Sequence, residues 1–212
     1  MTSADVPAPA RPGGVVLAAG PRVEVDGWVA GSVVPVTSAP LGSWTVVVGT
    51  GASRASAPYD DGALVLASRV LSPKAGPGLG FFEIDGRAVM TAHTPRARAV
   101  RWVVWEPGSG LLRPPGLALA GPSELVGLAG APAGVRDELV ELLHETRVQP
   151  ARMLQAVMAT LELPGTRLVL EPGRADTLEG ARQHLPDPRQ VGWFDSAVHD
   201  SVRLRRELGA LP

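Results

Sequence analysis

The chain of 212 residues has no cysteine and no asparagine, one lysine (Lys74) and one isoleucine (Ile84). Without cysteine there is no disulfide, no thiolate nucleophile and no thiolate metal site, which removes several enzyme classes at once. The near-absence of lysine, with 19 arginines among the 20 basic residues, is the mark of a GC-rich bacterial genome. Codon usage alone produces that bias, so the arginines are not read as a recruited phosphate-binding set. A charge excess of either sign is missing too. The net charge is −1 with acidic and basic residues interspersed, which gives no electrostatic reason to expect DNA, RNA or an anionic membrane as partner. No run of about 18 apolar residues exists to span a bilayer. Met1 to Gly14 lacks the basic and then apolar regions of a secretory signal. The expected compartment is the cytoplasm.

What is present is a globular composition. Apolar residues make up 45% and charged residues 19%; the charged share lies below the roughly 25% usual for soluble domains, so Gly, Pro, Ser, Thr and Ala must form much of the surface. Three stretches are expected. Residues 1–13, with Pro7, Pro9 and Pro12, are too poor in apolar side chains to order themselves. Residues 14–131 read as a β-rich domain, and residues 132–212 as a helical part, either separate from the first or continuous with it.

The strongest local signal is Phe81-Phe82-Glu83-Ile84-Asp85-Gly86-Arg87-Ala88-Val89-Met90, an Asp-Gly pair between two apolar runs, which specifies a β-hairpin. Further strands are expected at Val15 to Ala18, Arg22 to Val29, Trp44 to Val48, Leu79 to Ile84, Arg87 to Ala92 and Val100 to Glu106, followed by a sharp turn at Pro107-Gly108-Ser109-Gly110. Arg22 to Val29 alternates polar and apolar, as a half-exposed strand does. Trp44 to Val48 does not alternate and reads as buried on both faces. Asp60 to Leu71 breaks the strand pattern: acidic capping residues precede Ala63, Leu64, Ala67, Val70 and Leu71 at helical spacing, and Pro73 follows. This order is similar to that of small sensor and adaptor folds of the profilin, roadblock and GAF kind, an analogy of fold that carries no activity with it.

The last 80 residues change period from 2 to 3.6. Val135, Leu139, Leu142 and Leu143 form one helical stripe. Met153, Leu154, Val157, Met158 and Leu161 form another, opened by Pro150 and closed by Pro164-Gly165. Thr166 to Leu170 is expected to return to the sheet as a short strand, and Asp176-Thr177-Leu178-Glu179 to open a helix reaching about His184. A final helix is expected from Asp195 to Gly209, burying Ala197, Val198, Leu204 and Leu208.

Residues with chemical potential are sparse. Val46 to Val48 run into Gly49-Thr50-Gly51-Ala52-Ser53-Arg54, the strand-to-glycine-turn context in which backbone amides cradle a phosphate. The fingerprint is incomplete, because Arg54 stands where a third glycine belongs and the next helix begins late. A small-ligand or nucleotide site here would use Gly49, Gly51, Ser53, Arg54 and Asp61. His93, His144, His184 and His199 lack metal-ligand spacing, and His199-Asp200 reads as part of a solvated helix face. No serine lies in a nucleophile elbow and no acid/base pair emerges, so no catalytic residue is assigned. Trp102 and Trp105 point to opposite faces of one strand, which makes one of them an interface anchor unless both faces are covered.

The reading is an α+β fold: a mainly antiparallel mixed sheet with one crossover helix, packed against C-terminal helices. The expected function is a non-catalytic interaction or sensory module with an unknown protein partner or self-association, and with no cofactor, metal, nucleic acid or membrane. The alternatives are an enzyme of unassigned reaction and a small-ligand binder at the Gly49 to Arg54 turn.

Overall fold

The computed structural model describes residues 14–95 and 99–209; the expected N-terminal tail lies outside them. The fold is α+β. Eight strands, β1 (Val15–Ala18), β2 (Val36–Leu41), β3 (Trp44–Gly49), β4 (Gly78–Ile84), β5 (Arg87–His93), β6 (Arg101–Glu106), β7 (Gly110–Leu112) and β8 (Arg182–His184), form one sheet in the order β7-β6-β5-β4-β1-β3-β2-β8. Every pair of named strands is antiparallel. The helices are α1 (Arg22–Ala30), α2 (Gly62–Ser68), α3 (Pro122–Ala129), α4 (Val135–His144), α5 (Pro150–Thr160) and α6 (Pro188–Gly209), with two 3₁₀ turns at Thr166–Val169 and Pro172–Thr177.

The sheet is covered on both faces, and this explains why its strands read as apolar runs. Side chains alternate across a strand. Val15, Leu17, Val46, Val48, Leu79, Phe81, Met90, Val103 and Trp105 enter the core beneath α3, α4 and α5. Val16, Ala18, Val47, Phe82, Val89 and Val104 enter the other, beneath α1 and α2. The first core runs without a break from the strands into Leu139, Leu143, Met153, Leu154, Val157 and Met158, so the C-terminal helices and the sheet share one interior.

Arg22 to Val29 is the clearest departure from the sequence expectation: it is helix α1 rather than a strand. Its alternation suits a strand, yet Val25, Trp28 and Val29 also stand at i, i+3 and i+4 and are buried, while Val23 is left 74% exposed. Tertiary context decides, because β3 and β4 already occupy both edges of β1 and leave the next segment no ladder to join. As a helix the segment becomes a second crossover, joining β1 to β2, in addition to α2, which joins β3 to β4. Across these helices Trp28 Nε1 donates to the Val70 carbonyl at 2.9 Å, and the Arg69 guanidinium lies 4.5 Å from the Trp28 ring centroid and donates to the Trp28 carbonyl. Arg69 thus places a cation at the C-terminus of α1, where the helix dipole favours one. Burial pushes its pKa down to about 10, which leaves it charged at neutral pH.

Other corrections are smaller. β2 escapes the strand pattern because Pro40 lies within it; β8 pairs with β2 only from Val36 to Ser38, so the proline falls where that edge is open. α2 forms as expected with Asp61 as its cap, but it buries Val65, Leu66 and Ala67 and turns Leu64 and Val70 outward. Thr166–Val169 is a 3₁₀ turn and not a strand. The segment expected as a helix from Asp176 contains the end of the second 3₁₀ turn and then β8, which makes the return to the sheet instead. α6 begins seven residues early, at Pro188, and leaves Ala197 and Leu204 exposed rather than buried.

The hairpin at Asp85-Gly86 forms as the sequence specifies, with φ of 49° and 71° at the two turn residues, the type I′ signature. A Cβ at Gly86 would meet nothing within 4 Å, so strain in the backbone is the only cost of a side chain there. Gly86→Val is expected to lower stability by about 1–3 kcal/mol in urea denaturation; an unchanged midpoint would contradict the turn.

His93, at the end of β5, is buried. Its Nδ1 accepts from the Leu71 amide at 3.5 Å, so Nε2 carries the proton and donates to Thr91 Oγ1 at 3.0 Å. Burial pushes its pKa down to about 4 from an ordinary 6.5. The unfolded chain therefore binds a proton below pH 6.5 that the folded chain refuses until about pH 4. Stability should fall as pH drops through that window, by about 3 kcal/mol from this residue. Urea midpoints at pH 7 and pH 4.5 for the parent and for His93→Gln check it, with the variant expected to lose most of the slope.

Candidate functional site

The loop from Thr50 to Asp61, which leaves β3 and enters α2, holds the residues singled out as a possible anion site. Its amides largely face inward. Gly49 N–H donates to the Gly14 carbonyl, Thr50 N–H to Pro35, Ser53 N–H to Asp60 and Arg54 N–H to Val33, at 2.8 to 3.1 Å, while Ser53 Oγ accepts from Ala55 N–H at 3.1 Å. Asp61 spends its carboxylate on Ala63 N–H and Leu64 N–H, capping a helix of seven residues. Gly51 lies against the start of that helix, close enough that a Cβ on Gly62 would come within 2.5 Å of its carbonyl. Gly49, Gly51, Ser53 and Asp61 thus converge as loop closure and Arg54 is exposed beside them.

The loop does receive a carboxylate, from its own chain. Asp195 of α6 accepts from Ser56 N–H and from Ser56 Oγ, each at 2.9 Å. Donation from the Ser56 amide, then from its hydroxyl, holds the Asp195 carboxyl below its usual range. Alongside, Tyr59 and Phe194 meet edge to face, 5.5 Å between ring centroids with planes at 82°. Val191 and Phe194 pack on the core beneath α1 and α2. With Val198, these residues form a stripe at spacings of three and four, and it fixes only the first half of α6.

Beyond Val198 every described side chain of α6 is exposed. The helix carries Trp193, 78% exposed, together with Leu204 at 55% and Val202 at 41%; Leu185, in the link from β8, is 80% exposed. Tryptophan is costly to leave in water and is enriched at the centres of protein interfaces. A helix start at Asp195, as the sequence reading has it, leaves Trp193 in a linker and off the helix face. A start signal was legible: Asp187 accepts from Arg189 N–H at 2.8 Å, and Pro188 takes the first helical position.

The two tryptophans singled out in the sequence lie elsewhere. Trp105 is fully buried among the C-terminal helices, its indole N–H without a partner, and Trp102 is half-buried on the opposite face. The four histidines are dispersed: His93 in the core, His184 on β8 bonded to Ser38 Oγ at 2.9 Å, His144 and His199 on exposed helix faces. Among the described residues no three His, Asp or Glu side chains gather as metal ligands, and no helix is long and apolar enough to cross a membrane.

One concavity, of about 400 Å³, lies at the β6–β7 edge, lined by Arg87, Val104, Leu112, Arg113 and Pro114. Arg87 is committed to Glu106, reaching it through Nε and Nη2 at 2.8 Å each. These bonds, with one from Ser109 Oγ, hold the Glu106 carboxyl below its usual range.

The Asp195 contact yields a direct test. Asp195→Asn removes the charge that Ser56 binds, and Ser56→Ala removes the hydroxyl. Each is expected to accelerate amide exchange across residues 188–198 several-fold while leaving β1 and β4 protected. The parent should show the same loosening as pH falls through the carboxylate range, because a carboxyl whose folded pKa is depressed contributes at neutral pH and loses its contribution on protonation. Equal protection of α6 in all three proteins would contradict the contact.

Compared with protein families, with curated proteins and with solved structures, the chain matches none of them.

Proposed function

We propose that the protein is a non-catalytic interaction module whose contact surface is the outer face of α6. The observation that carries this reading is Trp193, exposed on a helix that its own chain holds only by one stripe of its first half. An aromatic side chain of that size gains most when a partner takes it out of water. The balanced charge of the chain favours a protein partner over a polyanion.

A photoreactive residue at position 193, irradiated in the native cell, is expected to trap one or a few discrete protein adducts; diffuse labelling or none would overturn the proposal. A second reading, a binder of small apolar acids, is supported by the apolar floor and the Arg113 guanidinium of the concavity at the β6–β7 edge. A thermal-shift screen with nucleotides, metal ions and short fatty acids separates the two. The interaction module is expected to show no saturable shift, whereas one that Arg113→Ala removes would favour the binder.

A further inference from the structure

We infer that the partner of α6 is a second copy of this chain, bound antiparallel through the stripe Trp193, Ala197 and Leu204. This rests on the interaction reading above and names its partner. The three residues recur at spacings of four and seven, so they lie along one line of the helix. That line is distinct from the stripe of Val191, Phe194, Asp195 and Val198 that seats α6 on its own body, and all three side chains are exposed.

The charges on the helix choose the partner and the direction. Arg189 and Glu207 are separated by five full turns of 3.6 residues and so lie on the same flank of the stripe. In a two-fold antiparallel pair every contact occurs twice. Setting Trp193 against Leu204 of the second copy places the dyad between Val198 and His199. It also brings Arg189 within one residue of a position opposite Glu207 of the second copy. Both ends of the pair then close on an opposite charge. A parallel pair would set Arg189 against Arg189 and Glu207 against Glu207. Ala197, near the dyad, is small enough to let the two helices approach. Arg203 of the same helix lies 3.3 Å from Asp200 and 3.8 Å from Glu207, so Asp200 is matched near the centre and Glu207 is shared between Arg203 of its own helix and Arg189 of the second copy. Pairing also supplies packing to the part of α6 beyond Val198, a stretch too short to be a stable helix alone in water.

Sedimentation equilibrium of the full chain tests this. The parent is expected to show a monomer–dimer equilibrium. Trp193→Ala should shift it to monomer with the body still folded, far-UV helicity falling by no more than the part of α6 beyond Val198, since the side chain is exposed in one copy. Arg189→Glu and Glu207→Arg should each weaken association at least about tenfold, and the two combined should restore it to within about threefold of the parent. A parent that stays monomeric, or a dimer indifferent to these substitutions, would overturn the inference. If such a parent still yields a discrete adduct with a different protein at position 193, the interaction reading stands without self-pairing; if it yields none, both fall.

Discussion

The four residues of β1 hold the molecule together from the middle of its sheet. Val15, Val16, Leu17 and Ala18 are each registered against β3 on one side and β4 on the other, and each side chain is buried in one of the two cores. A strand with both edges paired and both faces covered cannot slip, because moving it by one residue would exchange the two sets of side chains between cores of different shape. The flanking residues are shaped to that arrangement: the Phe82 ring lies where a Cβ on Gly14 would come within 1.9 Å and one on Gly80 within 2.5 Å. The helical layer of α1 and α2 depends on this strand, since α1 carries the chain from β1 past the place of β3 to β2, and α2 carries it over β1 from β3 to β4.

The two faces are covered by different means. Over one, α3, α4 and α5 bury long aliphatic and methionine side chains with few polar contacts. Over the other, the helices are tied by specific bonds: Trp28 to the Val70 carbonyl, Arg69 to the end of α1, the Leu71 amide after α2 to His93, and Ser56 to Asp195 of α6. Fewer apolar contacts are compensated there by polar groups with defined partners. The ionisable groups with shifted titration accordingly include Arg69, His93 and Asp195 on or beside this face.

Much of this was legible from residues with strong local preferences. Asp85-Gly86 announces its hairpin, Pro150 opens α5, which stops at Thr160 ahead of Pro164-Gly165, and Val15 to Ala18 marks β1 to the residue. Failures came where two periods fit one segment or where distant pairing decided the outcome. Arg22 to Val29 satisfies both spacings, and only the occupied edges of β1 make it a helix. Arg182–His184 is a strand because Val36 to Ser38 present an edge about 146 residues earlier, which no local pattern reports. For the candidate site, the loop from Gly49 to Asp61 was found, but its partner was not. The carboxylate that answers Ser56 belongs to α6, which starts at Pro188, seven residues before the start that the sequence suggests, and Trp193 lies in that stretch.

β8 has a mechanical consequence. It is the last strand in the chain to join the sheet, pairs with one neighbour over three residues, and leads through Leu185 and Pro186 directly into α6. Its ladder closes the longest loop among the strand pairs, so it is the most costly in chain entropy, and like that of β7 it spans only three residue pairs. Breaking it leaves the strands of both cores in place and withdraws Val191 and Phe194 from the edge of the second. β8 and α6 therefore form one weakly held unit at the end of the sheet, an arm attached to the body by a three-residue ladder and by the stripe that seats the first half of α6.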